Sequence, residues 1–426
     1  MARMPLLFLR GSYYECGFQK GEFFKSEIQT YYEELEPKMS AMLEFYHSKK
    51  GRDFCEGMMK AAREKYPQYV DENKGIADGA GITEEKAIMS ILWSQLDDAL
   101  GFAEKEIFAA YGKSIAAQGC SDIFVNNGKE KIIGHNNDWA SNMKPFIQLA
   151  YYAEYTLPNG DVVPPQTLLA IGGHPANNNY PTHVNQYGMC GDINVLVFPN
   201  DELPPKKSTR MQGSSWASGM GMVSSLNDLA ILDNKLWSGV KLPSFILNRA
   251  MQHAKDKDDL VRILTDQGNG IGWGWTFCVN AGFIDDPNLY NVEVGPSTEA
   301  KSSVSVVTIS QDKIIEKETA GVYSHFNHVK HLPDKGIRVQ LCDIRQARFD
   351  ELPTPHDLES VLNIMGDENH DDFPIYRANG EGHLWFTNWS SVMDFNGKRV
   401  LVYKDNPKTS EPIAILPFSL VMDDKP

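Results

Sequence analysis

At Gly119–Cys120 the chain changes character, and that change limits what it can fold into. Upstream, apolar residues recur every three or four positions. Between Gly17 and Met42 they are Phe18, Phe23, Phe24, Ile28, Tyr31, Tyr32 and Leu35, the stripe of an amphipathic helix. Phe54–Lys65, Val70–Ala80 and Thr83–Leu100 read the same way, the last with Thr83 as N-cap and Glu84-Glu85 in its first turn. Downstream, Pro/Gly/Asn clusters separate short runs of strand character: Phe146–Thr156, Gln166–Ile171, His183–Tyr187, Asp192–Phe198, Thr276–Ala281, Leu289–Val294, Val304–Ser310 and Lys313–Glu316. Helical patterns fall at Ser225–Leu236, Pro243–His253, Asp258–Thr265, Arg338–Glu351 and Leu358–Met365. Strands return at Leu384–Phe386, Ser391–Asp394 and Arg399–Tyr403. Two blocks of strands with grouped helices predict two packed sheets covered by helices.

The junction itself has a chemical logic. Lys113–Gln118 is small and polar, as a surface loop open to cleavage would be. Ser121–Val125 and Lys131–Gly134 read as a hairpin around Asn126-Asn127-Gly128, and the return strand ends in His135-Asn136-Asn137-Asp138. If the Gly119–Cys120 bond is cut, one residue supplies both a thiol nucleophile and a free α-amine to serve as its base. An isolated amine and thiol titrate within about one unit of each other, so proton exchange between them costs little. Asp138 could then orient the amine. The plainer alternatives are a small buried apolar residue for Cys120 and a turn cap for Asp138.

Asn194, in Gly191-Asp192-Ile193-Asn194, and Asn327, in His325-Phe326-Asn327-His328, are uncharged amides in apolar surroundings. Each fits either an oxyanion donor or a structural bridge between strands. His325, His328 and His331 are spaced by three, but few carboxylates lie near and Pro333 follows, which argues against a metal.

Composition narrows the partners. A net charge of −15 disfavours nucleic acid and anionic membrane, because phosphate binding needs basic surface. Six scattered cysteines without a C-x-x-C pair suit a reducing compartment. The N-terminal apolar run is too short for a signal peptide and no 18-residue apolar stretch occurs, so the expected location is cytoplasmic.

Taken in order, these residues resemble the acyl-coenzyme A:6-aminopenicillanate (isopenicillin-N) acyltransferase-like family of N-terminal nucleophile (Ntn) hydrolases, relatives of choloylglycine hydrolases and penicillin V acylases. Cys120-Ser121 through Gly134-x-x-x-Asp138 carries the likeness, with Gly11-Ser12-Tyr13-Tyr14-Glu15-Cys16-Gly17 and Gly21 before it and Lys74–Gly81 resembling the family's "GIAEGAG" helix. Asn185–Met189 with Asn194, His325–His328, Cys342–Arg348 and Ser391–Asp394 complete it.

The resemblance implies an α+β fold, a four-layer αββα Ntn-hydrolase sandwich, and self-cleavage between Gly119 and Cys120. Residues 1–119 would become a helical N-terminal chain and 120–426 the Ntn core, the two remaining associated. It implies Cys120 as nucleophile, Asp138 as its orienter, Asn194 and Asn327 near the oxyanion, and Arg345 either holding Asp138 or meeting a substrate carboxylate. His135 stands where relatives often carry Arg or Gln and is assigned with Arg345 to substrate binding. Cys342 replaces the family's Ser, and the segments at Pro199–Gly213 and Asn177–Asn179 reshape the substrate entrance.

The expected activity is an amidohydrolase or acyltransferase that cleaves a linear small-molecule amide through a thioester. No cofactor or metal is implied, and a homo-oligomer is left open. Two other readings stand beside it: a binding protein that keeps the fold without catalysis, and a thiol enzyme pairing Cys120 with His183 or His325 without self-cleavage.

Overall fold

The computed structural model describes residues 4–100, 119–140, 143–173, 175–198, 241–272, 274–297, 299–315, 319–333, 340–370, 373–378 and 385–422. The Lys113–Gln118 loop, the Pro199–Gly213 segment and the Ser225–Leu236 helix lie outside them.

The chain opens with β1 (Leu6–Gly11) and α1 (Tyr13–Phe23). A capping box starts α1: Ser12 Oγ accepts from the Glu15 amide, and the Glu15 carboxylate accepts from the Ser12 amide at 2.7 Å. The single helix expected over Gly17–Met42 is instead three: α1, α2 (Lys25–Glu34) and α3 (Glu36–His47). Phe24 and Leu35 each step out of helical geometry for one residue, too short an interruption to disturb the apolar periodicity. Then come α4 (Lys49–Lys65), α5 (Pro67–Ala80), α6 (Glu84–Ile91) and α7 (Trp93–Ala99). Thr83 caps α6 as its sequence requires, and Gly81 ends α5 in the left-handed conformation at φ 72°.

Small residues set how closely α1 and α5 approach. A Cβ on Gly17 or Gly21 would run into the carbonyls of Glu72 or Ile76. A Cβ on Gly75 or Gly79 would run into those of Tyr14 or Phe18. Two glycine pairs, each four residues apart, therefore interlock.

The remaining elements are β2 (Gly119–Asn126), β3 (Lys131–Ala140), β4 (Phe146–Tyr152), β5 (Tyr155–Thr156), β6 (Val162–Val163), β7 (Gln166–Gly172), β8 (Thr182–Asn185) and β9 (Met189–Phe198). After these come α8 (Ser244–Met251), α9 (Lys257–Thr265), β10 (Gly274–Phe283), β11 (Leu289–Gly295), β12 (Ser303–Ile309) and β13 (Val322–His325). The chain closes with α10 (Gln340–Glu351), α11 (Leu358–Met365), β14 (Trp385–Asp394), β15 (Arg399–Tyr403) and β16 (Ala414–Pro417).

Among the described residues the first sheet runs β1-β4-β7-β8-β9-β10-β11-β12 and the second β13-β2-β3-β14-β15-β16, with β5-β6 a separate ribbon. Three apolar clusters define the layers. One joins α1–α9 to the outer face of the first sheet, through residues such as Ile28, Met42, Leu247 and Val279. Another lies between the sheets, with Phe124, Ile133, Leu149, Leu169 and Trp389. The third packs Ile123, Val125 and Ile132 of the second sheet against Phe349, Val361 and Met365 of α10 and α11. This is the αββα sandwich, α+β in class.

β1 pairs parallel with β4, from Leu6 opposite Ile147 to Gly11 opposite Tyr152, so the part before Cys120 shares the first sheet. Several details depart from the sequence pattern. β1, β6, β13 and β16 have no strand counterpart in it, Phe146–Thr156 divides into β4 and β5, Thr83–Leu100 divides into α6 and α7, and Lys313–Ile315 forms no strand. The two late runs around Trp389 are one strand, β14, with a register shift between Thr387 and Trp389.

The α1–α5 contact gives a test with an internal control. Gly75→Ala should cost about 1–3 kcal/mol in chemical denaturation, because the methyl has no room. Gly57→Ala, in α4 where an added Cβ meets nothing within 4 Å, should leave stability equal or raise it by about 0.5–1 kcal/mol.

Candidate active site

The β2–β3 hairpin sorts its residues by the two-residue period of a strand. Phe124 and Ile133 face the first sheet, so Cys120, Asp122, His135 and Asn137 share that face. Ile123, Val125 and Ile132 face α10 and α11, so Ser121, Asn136 and Asp138 share the other. All eight residues of β2 are buried.

Every polar group of the Cys120 backbone is directed. Its amide donates to Asn327 Oδ1 at 2.7 Å. Its carbonyl accepts from Arg345 Nη1 at 2.6 Å, and that nitrogen also reaches Ser121 Oγ at 3.0 Å. Arg345 Nη2 donates to Asn327 Oδ1 at 3.0 Å and to the Phe326 carbonyl at 3.2 Å. Asn327 sits two residues beyond β13 with φ 70°, a left-handed backbone that Asn tolerates better than most residues. Its Nδ2 donates to the Val195 carbonyl at 3.0 Å.

Asn327 turns its carboxamide oxygen to the Cys120 nitrogen and gives one N–H of its amide group to β9, which leaves the second N–H for the oxyanion role expected of it. One sequence expectation is corrected here. Arg345 is fully buried and spends its donors on the protein, so of its two expected partners a substrate carboxylate is not one. The second arginine of its motif acts elsewhere. Arg348 forks onto Asp367 at 3.0 and 2.8 Å, tying α10 to the turn after α11.

Asp138 lies opposite Gly119. Its Oδ1 accepts from Thr387 Oγ1 at 2.7 Å, and its Oδ2 stands 3.3 Å from Arg377 Nε and 4.0 Å from Arg345 Nη1. Burial pushes this carboxyl above the usual range, although Arg377, Arg345 and Thr387 oppose the shift. Arg377 is itself held down to about 10, by burial first. Sequence reasoning missed Arg377 and Thr387, whose surroundings offer no periodic or motif signal.

Cys120 and Asn137 border a cavity with Trp93, Trp139, Ile193, Val195 and Phe245. Since Ile193 and Val195 line it, Asn194 between them faces the opposite side of β9, into the layer between the sheets that the Cys120 side chain shares. Its Oδ1 accepts from Asn280 Nδ2 at 2.6 Å and its Nδ2 approaches the His325 carbonyl at 3.5 Å.

His135 is also not on the substrate side. It is fully buried between the sheets, with Nδ1 2.7 Å from Asp122 Oδ1 and 3.5 Å from Asp192 Oδ1. Burial opposes its charged form, but Asp192, the neighbouring Cys120 sulfur and Asp138 outweigh it, and its pKa ends above the ordinary value. Asp122 and Asp192 face each other, and burial raises both; for Asp192 the nearby Asp122 adds to the rise. Asp122 could have been found from sequence, because a residue two after Cys120 must share its face.

Among the described residues, Asp122, His135 and Asp192 are the group of possible metal donors that come within 4.8 Å of one another. Hydrogen bonding accounts for their proximity: His135 meets Asp122, and Asp192 Oδ1 accepts from Asn280 Nδ2 at 2.6 Å. The histidines spaced by three are pinned separately. His325 Nε2 lies 3.3 Å from Glu293, and His331 bonds Ser305 and Asn291, each at 2.8 Å. All six cysteines are free and buried. No described helix is long and apolar enough to cross a membrane.

No family model matches the sequence. The chain is 24% identical over 420 residues to the beta-alanyl-dopamine/carcinine hydrolase of Drosophila melanogaster, spanning 97% of this chain and 96% of that protein. Among solved structures it is similar to a C2A mutant of conjugated bile acid hydrolase from Clostridium perfringens, with 11% identity, TM-score 0.33, and 72% and 99% of the two chains covered. Penicillin V acylase from Agrobacterium tumefaciens gives 11% identity, TM-score 0.33 and 66% and 82% coverage.

The facing carboxylates predict a pH effect on stability. Asp192 has a folded-state pKa above its unfolded value, so the folded chain binds the extra proton and stability falls as pH rises from about 4 toward the folded pKa. Asp192→Asn should reduce that fall, leaving the part due to Asp122: urea midpoints of variant and wild type should converge near pH 4 and diverge by pH 8, the variant being the more stable.

Proposed function

We propose that the chain is a cysteine amidohydrolase that matures by cutting its own Gly119–Cys120 bond and then cleaves small linear amides through a thioester on Cys120. The observation that carries this reading is the double placement of Cys120. The residue borders the cavity, and its own nitrogen is held by Asn327 Oδ1. After the cut that nitrogen is an α-amine beside the thiol, able to take its proton, with the Asn327 oxygen positioned to orient it. Asp138, buried beside Gly119 and balanced by Arg345 and Arg377, would set the charge around the new terminus.

In turnover the Cys120 sulfur attacks the substrate carbonyl, the amine product leaves, and water resolves the thioester. An acyl-accepting amine in place of water would make the same site an acyltransferase. Hydrolysis is the preferred fate, because the relative similar over nearly its whole length is a hydrolase. That relative's name points to N-acyl amines as the substrate class, and the Trp93, Trp139 and Phe245 walls of the cavity suit an amide with a flat or apolar group. The residues assigned are Cys120 as nucleophile, Asn327 on the amine, and Asp138, Arg345 and Arg377 as its supports. The proposed location remains cytoplasmic.

Denaturing electrophoresis with intact mass tests the reading. At 47.8 kDa over 426 residues, about 112 Da each, chains of 119 and 307 residues should run near 13 and 34 kDa, the larger beginning with Cys120. Cys120→Ala should stay a single uncut, inactive chain. Active wild-type protein with its backbone continuous through Gly119–Cys120 would overturn it.

A further inference from the structure

Self-cleavage has a difficulty that the mature enzyme does not. Before the bond is cut, the Cys120 nitrogen is an amide whose N–H donates to Asn327 Oδ1, and it cannot accept a proton. Some other group must take the thiol proton. Asp138 is on the opposite face of the hairpin and is engaged by Thr387 and Arg377. His135 is on the Cys120 face, one non-adjacent pair along the ladder: Asp122 opposes His135 and Cys120 opposes Asn137. Diagonal neighbours at that spacing lie within reach of an imidazole.

The imidazole is oriented to act as a base. Its Nδ1 meets Asp122 Oδ1 at 2.7 Å, which favours the proton on Nδ1 and leaves the Nε2 lone pair as acceptor. Nε2 is buried and has no hydrogen-bond partner in the protein. The Cys120 sulfur is among the groups that act on this ring. The charged groups facing His135 are Asp122 and Cys120 on β2, Asp138 on its own strand, and Asp192 on β9, while Arg345 on α10 acts on Asp122.

We propose that His135, oriented by Asp122, is the base that deprotonates the Cys120 thiol in the uncut chain and so starts self-cleavage. The inference rests on the maturation reading above. In the step, the Sγ proton moves to His135 Nε2 and the sulfur bonds to the Gly119 carbonyl carbon. The Gly119–Cys120 C–N bond then breaks, and the proton passes from the imidazolium to the departing nitrogen. Water hydrolyses the resulting thioester to a Gly119 carboxylate and the free thiol. The α-amine born in this step is available as base thereafter.

The test follows cleavage of freshly synthesised chain on denaturing gels over time, together with kcat/KM per cleaved molecule. His135→Gln should slow cleavage about 100-fold or more, the range of a lost general base, and by at least tenfold more than it lowers kcat/KM per cleaved chain. Asp122→Asn should slow cleavage less severely. A merely structural role would lower both readouts together. The wild-type cleavage rate should rise through a single ionisation and level off, and His135→Gln should lose that dependence. Cutting at the wild-type rate in folded His135→Gln overturns the assignment to His135 alone. If that variant does not fold, Asp122→Asn cutting at the wild-type rate, or a pH-independent wild-type rate, does the same. A wild-type chain that never cuts removes the maturation reading as well.

Discussion

The register of β2 is the constraint on which the site depends. The strand lies between β13 and β3, buried along its whole length. A slip of one residue would turn Cys120 toward α10 and Ser121 toward the first sheet. It would also drag Phe124 out of the layer between the sheets and Ile123 and Val125 out of contact with α11. Burying a side chain of this kind is worth roughly 1.5–3 kcal/mol, so three misplaced at once would outweigh most of a domain's net stability. Apolar packing thus decides where the sulfur points, at a distance from the chemistry.

The same layer is apolar over most of its area and polar at the Cys120 end. There Asp122, His135, Asp192, Asn194, Asn280 and Glu293 replace the hydrophobic side chains, all buried. Two kinds of acid occur among them. Burial raises Glu293, but His325, His331 and the backbone bring it down to about 2. It accepts the amides of Lys330, His331 and Leu332 at 2.6, 2.9 and 2.8 Å, three donors converging on one carboxylate. Asp122 and Asp192 receive no such set of backbone donors and face one another, so both are pushed up. His325 and His331, with the converging backbone donors, outweigh burial at Glu293, and the aspartate pair has no such set. Glu293 is a fixed anchor for the loop after β13, whereas the aspartate pair sits against His135.

What was legible in the sequence was local. The hairpin from Cys120 to Asp138 shows two short apolar runs, a turn at Asn126–Gly128 and a motif at its end, and its strands pair as read. The glycines of α1 and α5 were visible as motifs, and the packing supplies their reason. The long-range parts were not legible. Arg377 lies on a stretch without regular structure and reaches Asp138 across 239 positions of sequence. The facing of Asp122 and Asp192 follows only from how β2 stacks on β9. The direction of Asn194 was not legible either, because an amide in an apolar strand can face either side, and no pattern in a single strand says which side borders the cavity.

Cys120 is where three layers meet. Its nitrogen is held from the turn after β13, its carbonyl from α10, and its side chain shares the space between the sheets with His135. Under the proposed maturation, a cut at this point would not release a domain. β1 remains hydrogen-bonded to β4, and the cluster under the helices mixes Ile28, Met42 and Leu96 from before the junction with Phe146, Leu247 and Val279 from after it. Non-covalent contacts therefore hold the new terminus in place once the covalent bond is gone. Asn327 Oδ1, which accepts from an amide N–H before the cut, can accept from an ammonium afterwards without moving. That economy makes a chain-internal peptide bond a workable way to build an amine base inside a closed core, where a preformed charged amine would be costly to bury.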